Sequence, residues 1–125
     1  MIKLATAAAT LILALSTSAM AESYNVTEQS VSGIKTAQGV WNLTSADKKI
    51  TGTATMQFDN GNPLTYGLEG TEDATGGMTL NLTNRSDSKK NCVWTGTPVT
   101  NAKPGVLRGD AKCDGATPIT ITTGH

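Results

Sequence analysis

The residues able to move a proton, attack a carbonyl or hold a metal are few in this chain, and their spacing is wrong for most chemistry. Histidine occurs once, as His125 at the chain end, a poor mount for a catalytic base. There is no Cys/His ligand cluster and no Ser/His pair with an acid to orient it. General acid–base catalysis needs only two placed carboxyls, but Asp59, Glu72-Asp73, Asp87 and Asp114 fall in predicted turns, where acids serve turn geometry and solubility. Asp59-Asn60-Gly61-Asn62 faintly resembles a calcium loop; it lacks the ligand spacing and terminal Glu of an EF-hand and reads as a hairpin turn. The expectation is therefore no metal, no cofactor and no enzyme. A carboxylate hydrolase built on Asp59, Glu69, Asp110 and Asp114 is the catalytic alternative.

Other motifs have plain readings. Arg108-Gly109-Asp110 spells an integrin-recognised tripeptide, but mid-strand its alternate side chains point opposite ways. Asn25-Val26-Thr27, Asn42-Leu43-Thr44, Asn81-Leu82-Thr83 and Asn84-Arg85-Ser86 match the glycosylation pattern, and such matches arise by accident where Thr fills exposed strand faces. Trp41, Tyr66 and Trp94 are three of five aromatics. They read as core, with stacking on a ligand at a barrel mouth as the functional alternative.

The elements that must position these residues start from the two cysteines. Setting Cys92 opposite Cys113 fixes a hairpin whose paired numbers sum to 205, with its turn centred on Ala102-Lys103. Trp94 then faces Ala111, Gly96 faces Gly109 and Pro98 faces Leu107, while Val93, Thr95 and Thr97 face Lys112, Asp110 and Arg108. One face is apolar or small and the other mostly polar, as in an antiparallel hairpin covering a core on one side.

One apolar face runs along the chain. Glu22 to Gln38 is polar, with no clear period, and is read as an arm or edge strand; the domain proper spans 39–125. Trp41 and Leu43 point inward, and a turn near Ala46-Asp47 pairs Leu43 with Ile50 and Trp41 with Gly52. Ile50, Gly52, Ala54, Met56 and Phe58 alternate with threonines and Gln57. Leu64, Tyr66 and Leu68 follow, then Met78, Leu80 and Leu82, then Cys92 and Trp94; after the odd-sum turn come Leu107, Ala111, Cys113, Ile119 and Ile121. No segment has a helical period, so this apolar face can be covered only by itself. The expected fold is all-β: a small antiparallel up-and-down meander closing into a barrel, with a β-sandwich as the alternative.

Residues 1–21 read as an export signal. Lys3 supplies the positive start, Leu4 to Leu15 the apolar stretch and Ala19-Met20-Ala21 the cleavage site, with cutting expected after Ala21. Nothing later is long and apolar enough for a membrane-spanning helix. The remaining 125 − 21 = 104 residues suit one domain, with nine basic against ten acidic residues once Lys3 is removed. That balance argues against a nucleic-acid partner, which needs a concentrated basic surface. Periplasmic or secreted location and a Cys92–Cys113 disulfide are expected together.

Gly39-Val40-Trp41, opening the first confident strand, resembles the Gly-x-Trp start of lipocalin- and avidin-like (calycin) barrels and the small barrel inhibitors of bacterial metalloproteases. The resemblance implies a barrel, makes Trp41 its structural tryptophan and matches residues 22–38 to the inhibitors' N-terminal arm. The chain departs from it in being shorter than a lipocalin, in lacking residues that match avidin's biotin contacts and in joining late strands by its disulfide. The resulting functional expectation is a monomeric, non-catalytic module that binds a small ligand or inhibits a protein outside the cytoplasm. A structural or cell-envelope interaction protein, assembling through sheet edges, is the alternative. The expected contacts are Trp41, Tyr66, Trp94, Asn60, Asn62 and Lys103, with the loops at 59–63 and 98–105.

Overall fold

The computed structural model describes residues 19–125. Within them the period-two pattern forms eight strands: β1 Met20–Gln29, β2 Lys35–Ala46, β3 Lys49–Phe58, β4 Pro63–Glu72, β5 Met78–Thr83, β6 Cys92–Pro98, β7 Leu107–Lys112 and β8 Ile119–Gly124. Each pairs antiparallel with its neighbours in sequence, and β1 pairs with β8 from Asn25↔Gly124 to Gln29↔Thr120. The sheet is thus a closed barrel, not a sandwich, and every strand has two partners. Closure satisfies the backbone donors and acceptors an open edge would leave unpaired.

The inner face is the one the alternation selects. Trp41, Leu43, Ile50, Ala54, Met56, Leu64, Tyr66, Leu68, Met78, Leu80, Leu82, Trp94, Leu107, Ala111, Ile119 and Ile121 are all buried. Each large side chain so buried contributes about 1.5–3 kcal/mol. The outer face carries Thr51, Thr53, Thr55, Thr65, Thr79 and Asn81, all exposed. Apolar inside and hydroxylated outside is the reverse of a lipid-facing barrel.

The β6–β7 register follows the cysteine arithmetic: Val93↔Lys112, Trp94↔Ala111, Thr97↔Arg108 and Pro98↔Leu107 all sum to 205, and Cys92 and Cys113 form the disulfide. Between these pairs the Trp94 indole folds over Gly96, and a Cβ on Gly109 would collide with the Thr95 carbonyl oxygen. Only glycine lets β6 and β7 approach so closely here.

Three expectations are corrected. Leu43 pairs with Gly52 and Trp41 with Ala54, two residues from the expected register, because the turn is the tight pair Asp47-Lys48. Both residues have positive φ, 53° and 67°, the geometry of a two-residue hairpin turn whose twist matches the flanking strands. Parity is unchanged, so the inner face is too. The segment 22–38 is neither arm nor edge: it forms most of β1, the 30–34 turn and the start of β2, and β1 is bonded on both sides. Tyr24, Val26 and Glu28 point inward from it. Finally, Gly39-Val40-Trp41 lies within the second strand and does not open the first.

Residues 1–18 of the expected export signal lie outside the described residues. Its cleavage point, after Ala21, falls two residues inside β1 and leaves Tyr24, Val26 and Glu28 in place.

Deleting residues 22–36, which an arm would tolerate, should abolish the cooperative unfolding transition, because it removes the strand that closes the barrel; circular dichroism melts check this. Replacing Cys92 and Cys113 together by Ala should lower stability by roughly 3 kcal/mol, the chain-entropy value for a loop of about 20 residues, measured by urea unfolding.

Candidate functional site

The barrel has two unlike ends. The upper mouth is ringed by the 30–34 and 59–62 turns, the 84–91 loop, the disulfide and the 114–118 turn. The lower mouth is ringed by the 47–48, 73–77 and 99–106 connections and the C-terminus. Between them the centre is filled. Trp41 and Trp94 cross edge to face with ring centroids 5.1 Å apart, and Trp41 meets Tyr66 in the same way at 6.3 Å. Such crossings place a ring's positive edge on its neighbour's negative face. Both indoles are 0% exposed, so no water-sized sphere reaches them. The Trp94 Nε1–H donates to the carbonyls of Gly109 (2.9 Å) and Ile121 (3.2 Å), fixing the ring against β7 and β8.

The lower mouth is almost shut. The His125 imidazole lies 4.6 Å from the Tyr24 ring, with Nε2 3.4 Å from a Glu22 carboxylate oxygen, and leaves no room for a Cβ on Gly105. Burial first, then the charges of Glu22 and Glu72, push the Tyr24 phenol above its ordinary pKa. The remaining space, lined by Tyr24, Leu43, Ile50 and Met78 among others, is about 30 Å³, roughly one water.

The upper mouth is closed from within by charge. Arg85, 5% exposed, reaches into the barrel and grips Glu28, 1% exposed, through two hydrogen bonds of 3.1 Å, Nη1 to Oε2 and Nη2 to Oε1. Its Nε and Nη2 donate to Asp87 at 3.0 and 2.8 Å. The Tyr66 hydroxyl donates to Glu28 Oε2 at 2.6 Å and accepts from Trp41 Nε1 at 3.0 Å, and the guanidinium lies 4.8 Å from the Tyr66 ring centre. A continuous polar chain therefore runs from Trp41 in the core to Asp87 at the rim.

Local geometry explains the inward turn of Arg85. β5 places even-numbered residues inside, so strict alternation would send Arg85 outward. Asn84 instead adopts φ 53°, a left-handed step that Asn tolerates, and Arg85 is the buried residue. Ser86 then ties the loop to β4, its N–H donating to the Thr65 carbonyl and its Oγ accepting from the Thr65 N–H, both at 3.0 Å. On the opposite wall a bulge in the β1–β2 pairing falls between Glu28 and Gln29. Bulges of this kind re-aim side chains at barrel rims.

Electrostatics hold Arg85 and Asp87 in their charged forms. Burial works against the Arg85 guanidinium, but hydrogen bonds and charge from Asp87 and Glu28 outweigh it and raise its pKa. Burial likewise works against the Asp87 carboxylate, and Arg85, with help from Lys89, outweighs it and holds the pKa low. Tyr66 is pushed well above the usual phenol range by burial first and by Glu28 second, so it remains a donor.

Beside this plug lies an open pocket of about 320 Å³. Phe58, Pro118 and Ile119 give it an apolar side, and Ser30, Thr36, Asp87 and Lys89 a polar one, with Glu28 and Arg85 also in its lining. A second depression, about 350 Å³, lies outside the wall under the 84–91 loop, lined by Glu69, Asn81, Asn84, Lys89, Lys90 and Asn91 among others.

The expected contact residues do not come together. Trp41, Tyr66 and Trp94 are sealed in the interior, where they pack the core. Asn60 and Asn62 are exposed at the upper mouth, Asn60 Oδ1 accepting from the Asn62 N–H at 2.9 Å, while Lys103 is exposed at the lower mouth. Of the carboxylates proposed for hydrolysis, Asp110 accepts from Thr120 Oγ1 on the outer wall and Asp114 from Asn91 Nδ2. The carboxylates that do converge are Glu28 and Asp87, with Arg85 between them; their lone pairs are taken by its N–H groups, an arrangement that fixes charge in place. Sequence reasoning missed this group. Its available signal was the alternation Tyr24, Val26, Glu28, which carries a charged residue into an inward position.

No protein-family model matches the chain, and no curated protein matches it. Solved structures do. A redesigned β-barrel, mFAP1, bound to DFHBI superposes with a TM-score of 0.64 at 20% identity, covering 82% of this chain and 92% of that one. A second redesigned barrel, mFAP0, also bound to DFHBI, gives 0.61 at 17% identity over 82% and 95% of the two chains. A de novo designed fluorescence-activating β-barrel gives 0.61 at 13% identity over 85% and 93%. At these identities the likeness is one of fold.

Removing Arg85 while leaving Glu28 should be costly. Arg85→Met is expected to lose about 3–5 kcal/mol, as breaking a buried ion pair does, whereas adding Glu28→Leu should return part of the loss; urea denaturation of the three variants checks this. Because the folded-state pKa of Asp87 is depressed, its contribution is present above the unfolded carboxylate value near ~4 and is lost as pH falls through the lower native value. Asp87→Asn should therefore be less stable than the parent at pH 7 and show a flatter loss of stability on acidification, read from melting temperature against pH.

Proposed function

We propose that this protein is a non-catalytic binding module acting outside the cytoplasm, in the periplasm or beyond the cell, and that its binding face is the upper mouth. One contrast supports this reading: the barrel centre is filled by Trp41 and Trp94, while an amphipathic pocket of about 320 Å³ opens beside the Glu28–Arg85–Asp87 plug. A pocket with an apolar wall and a few polar groups suits a small organic ligand. Export is supported by Lys3, the apolar stretch Leu4 to Leu15 and Ala19-Met20-Ala21, together with the paired cysteines. The calycin-like reading is supported by the closed eight-stranded up-and-down barrel, and not by Gly39-Val40-Trp41, which sits in the second strand.

Contact with a protein target is the second reading. Val31 and Ile34, 68% and 66% exposed, stand at the tip of the β1–β2 turn on the rim of the same mouth. In this version the turn, not a free arm, makes the contact. Assembly through sheet edges has little support, because β1 and β8 bond to each other.

Titrating ¹⁵N-labelled protein with a library of small aromatic and aliphatic acids, amines and neutral compounds separates mouth from centre. Binding at the mouth should shift the amides of Thr36, Phe58, Lys89 and Ile119 and leave the Trp94 indole N–H unmoved. A ligand that moves the Trp94 indole more than these amides would place the site in the barrel centre.

A further inference from the structure

We propose that the upper-mouth pocket takes a small organic anion, an aryl or acyl carboxylate or sulfonate, with its apolar body against Phe58, Pro118 and Ile119 and its acid group on the ammonium of Lys89. This deepens the binding-module reading and rests on it. Four charged side chains line the pocket: Glu28, Arg85, Asp87 and Lys89. Three of them satisfy one another. Arg85 spends its Nε, Nη1 and Nη2 donors on Glu28 and Asp87. Asp87 Oδ1 also takes the Lys89 backbone N–H at 3.2 Å, which anchors the point from which the lysine side chain starts.

Lys89 is the exception. It is half-buried, and among the described residues its ammonium makes no hydrogen bond and no ion pair. An amine with three donors and no protein partner gains most from an oxyanion, which supplies acceptors and neutralises the charge. A cationic ligand would face this ammonium, and a neutral one would cover it without pairing it. Asp87 already feels the Lys89 charge, but its two oxygens are engaged by the Arg85 guanidinium and the Lys89 backbone N–H, so the ammonium makes no direct contact with it. Lys89 lines both this pocket and the outer depression, and both are open, so an acid group beside it can keep some contact with water. The apolar wall supplies the rest: Phe58 packs on the core from the end of β3, Pro118 ends the 114–118 turn and Ile119 opens β8.

The test uses two fluorescent probes that differ chiefly in charge: 1-anilinonaphthalene-8-sulfonate and the uncharged N-phenyl-1-naphthylamine. The full barrel domain should bind the sulfonate saturably at one site and the neutral probe more weakly. Lys89→Met should weaken the sulfonate on the order of tenfold, the scale of one charge-assisted hydrogen bond, and leave the neutral probe unchanged; Lys89→Arg should keep most of the affinity. Phe58→Ser should weaken both, and Lys103→Met, at the opposite mouth, neither. Unchanged melting curves for Lys89→Met and Lys89→Arg tie the effect to the site and not to folding. Equal affinity for the two probes, or a sulfonate affinity indifferent to Lys89→Met, overturns the anion assignment and leaves the mouth as the binding face. If neither probe binds, or both respond to Lys103 and not to Phe58, the mouth reading fails as well.

Discussion

An apolar sheet face with no helix to cover it can be hidden only by the sheet itself, and the rest of this structure follows from that constraint. Curling eight strands into a ring brings β1 against β8 over Asn25–Gln29, so each described strand is bonded to two neighbours. The ring must then be filled, and the filling sets how much of the interior is available for anything else. Here two tryptophans crossing edge to face, with Leu64, Leu80 and Ile121 at 0% exposure around them, occupy the centre. What remains for recognition is the ends.

The two ends are sealed by different physics. At the lower mouth aromatic contact between Tyr24 and His125 leaves space for about one water. At the upper mouth the cap is ionic: a guanidinium held by two carboxylates and stacked near a phenol. A buried ion pair is weak evidence of net stabilisation, since desolvation can cancel its attraction. Its value here is positional. Glu28 on β1 and Arg85 on the 84–91 loop come from opposite halves of the sequence, and their pairing fixes that loop over the mouth, with Asp87 and Lys89 placed at its rim.

Much of the fold was legible in the sequence because the inward face carries through every hairpin, whether the paired numbers sum to odd or even. Cys92 and Cys113 gave the β6–β7 register, and each inward position from Trp41 to Ile121 agreed with it. The β2–β3 register slipped by two because Asp47 and Lys48 both take positive φ, a choice that neither residue type announces. Residues 22–38 read as an arm or edge strand because Glu28 interrupts the apolar alternation of β1, and a charge on an inward position reads as solvent-facing until its partner is known. That partner was hidden in turn, because the left-handed step at Asn84 reverses the parity that places Arg85. The candidate site was least legible where two such local exceptions had to be paired across 85 − 28 = 57 residues.

The β1–β8 seam joins Asn25 to Gly124, positions 124 − 25 = 99 apart. Contacts of that range are entropically expensive to form and slow the folding of β-rich domains. Every other ladder can zip from a nearby turn, whereas a ribbon lacking only this seam would carry two bare margins. Such margins pair readily with those of another chain. The suture that protects the finished molecule is thus the one whose opening would expose its first and last strands to exchange between copies.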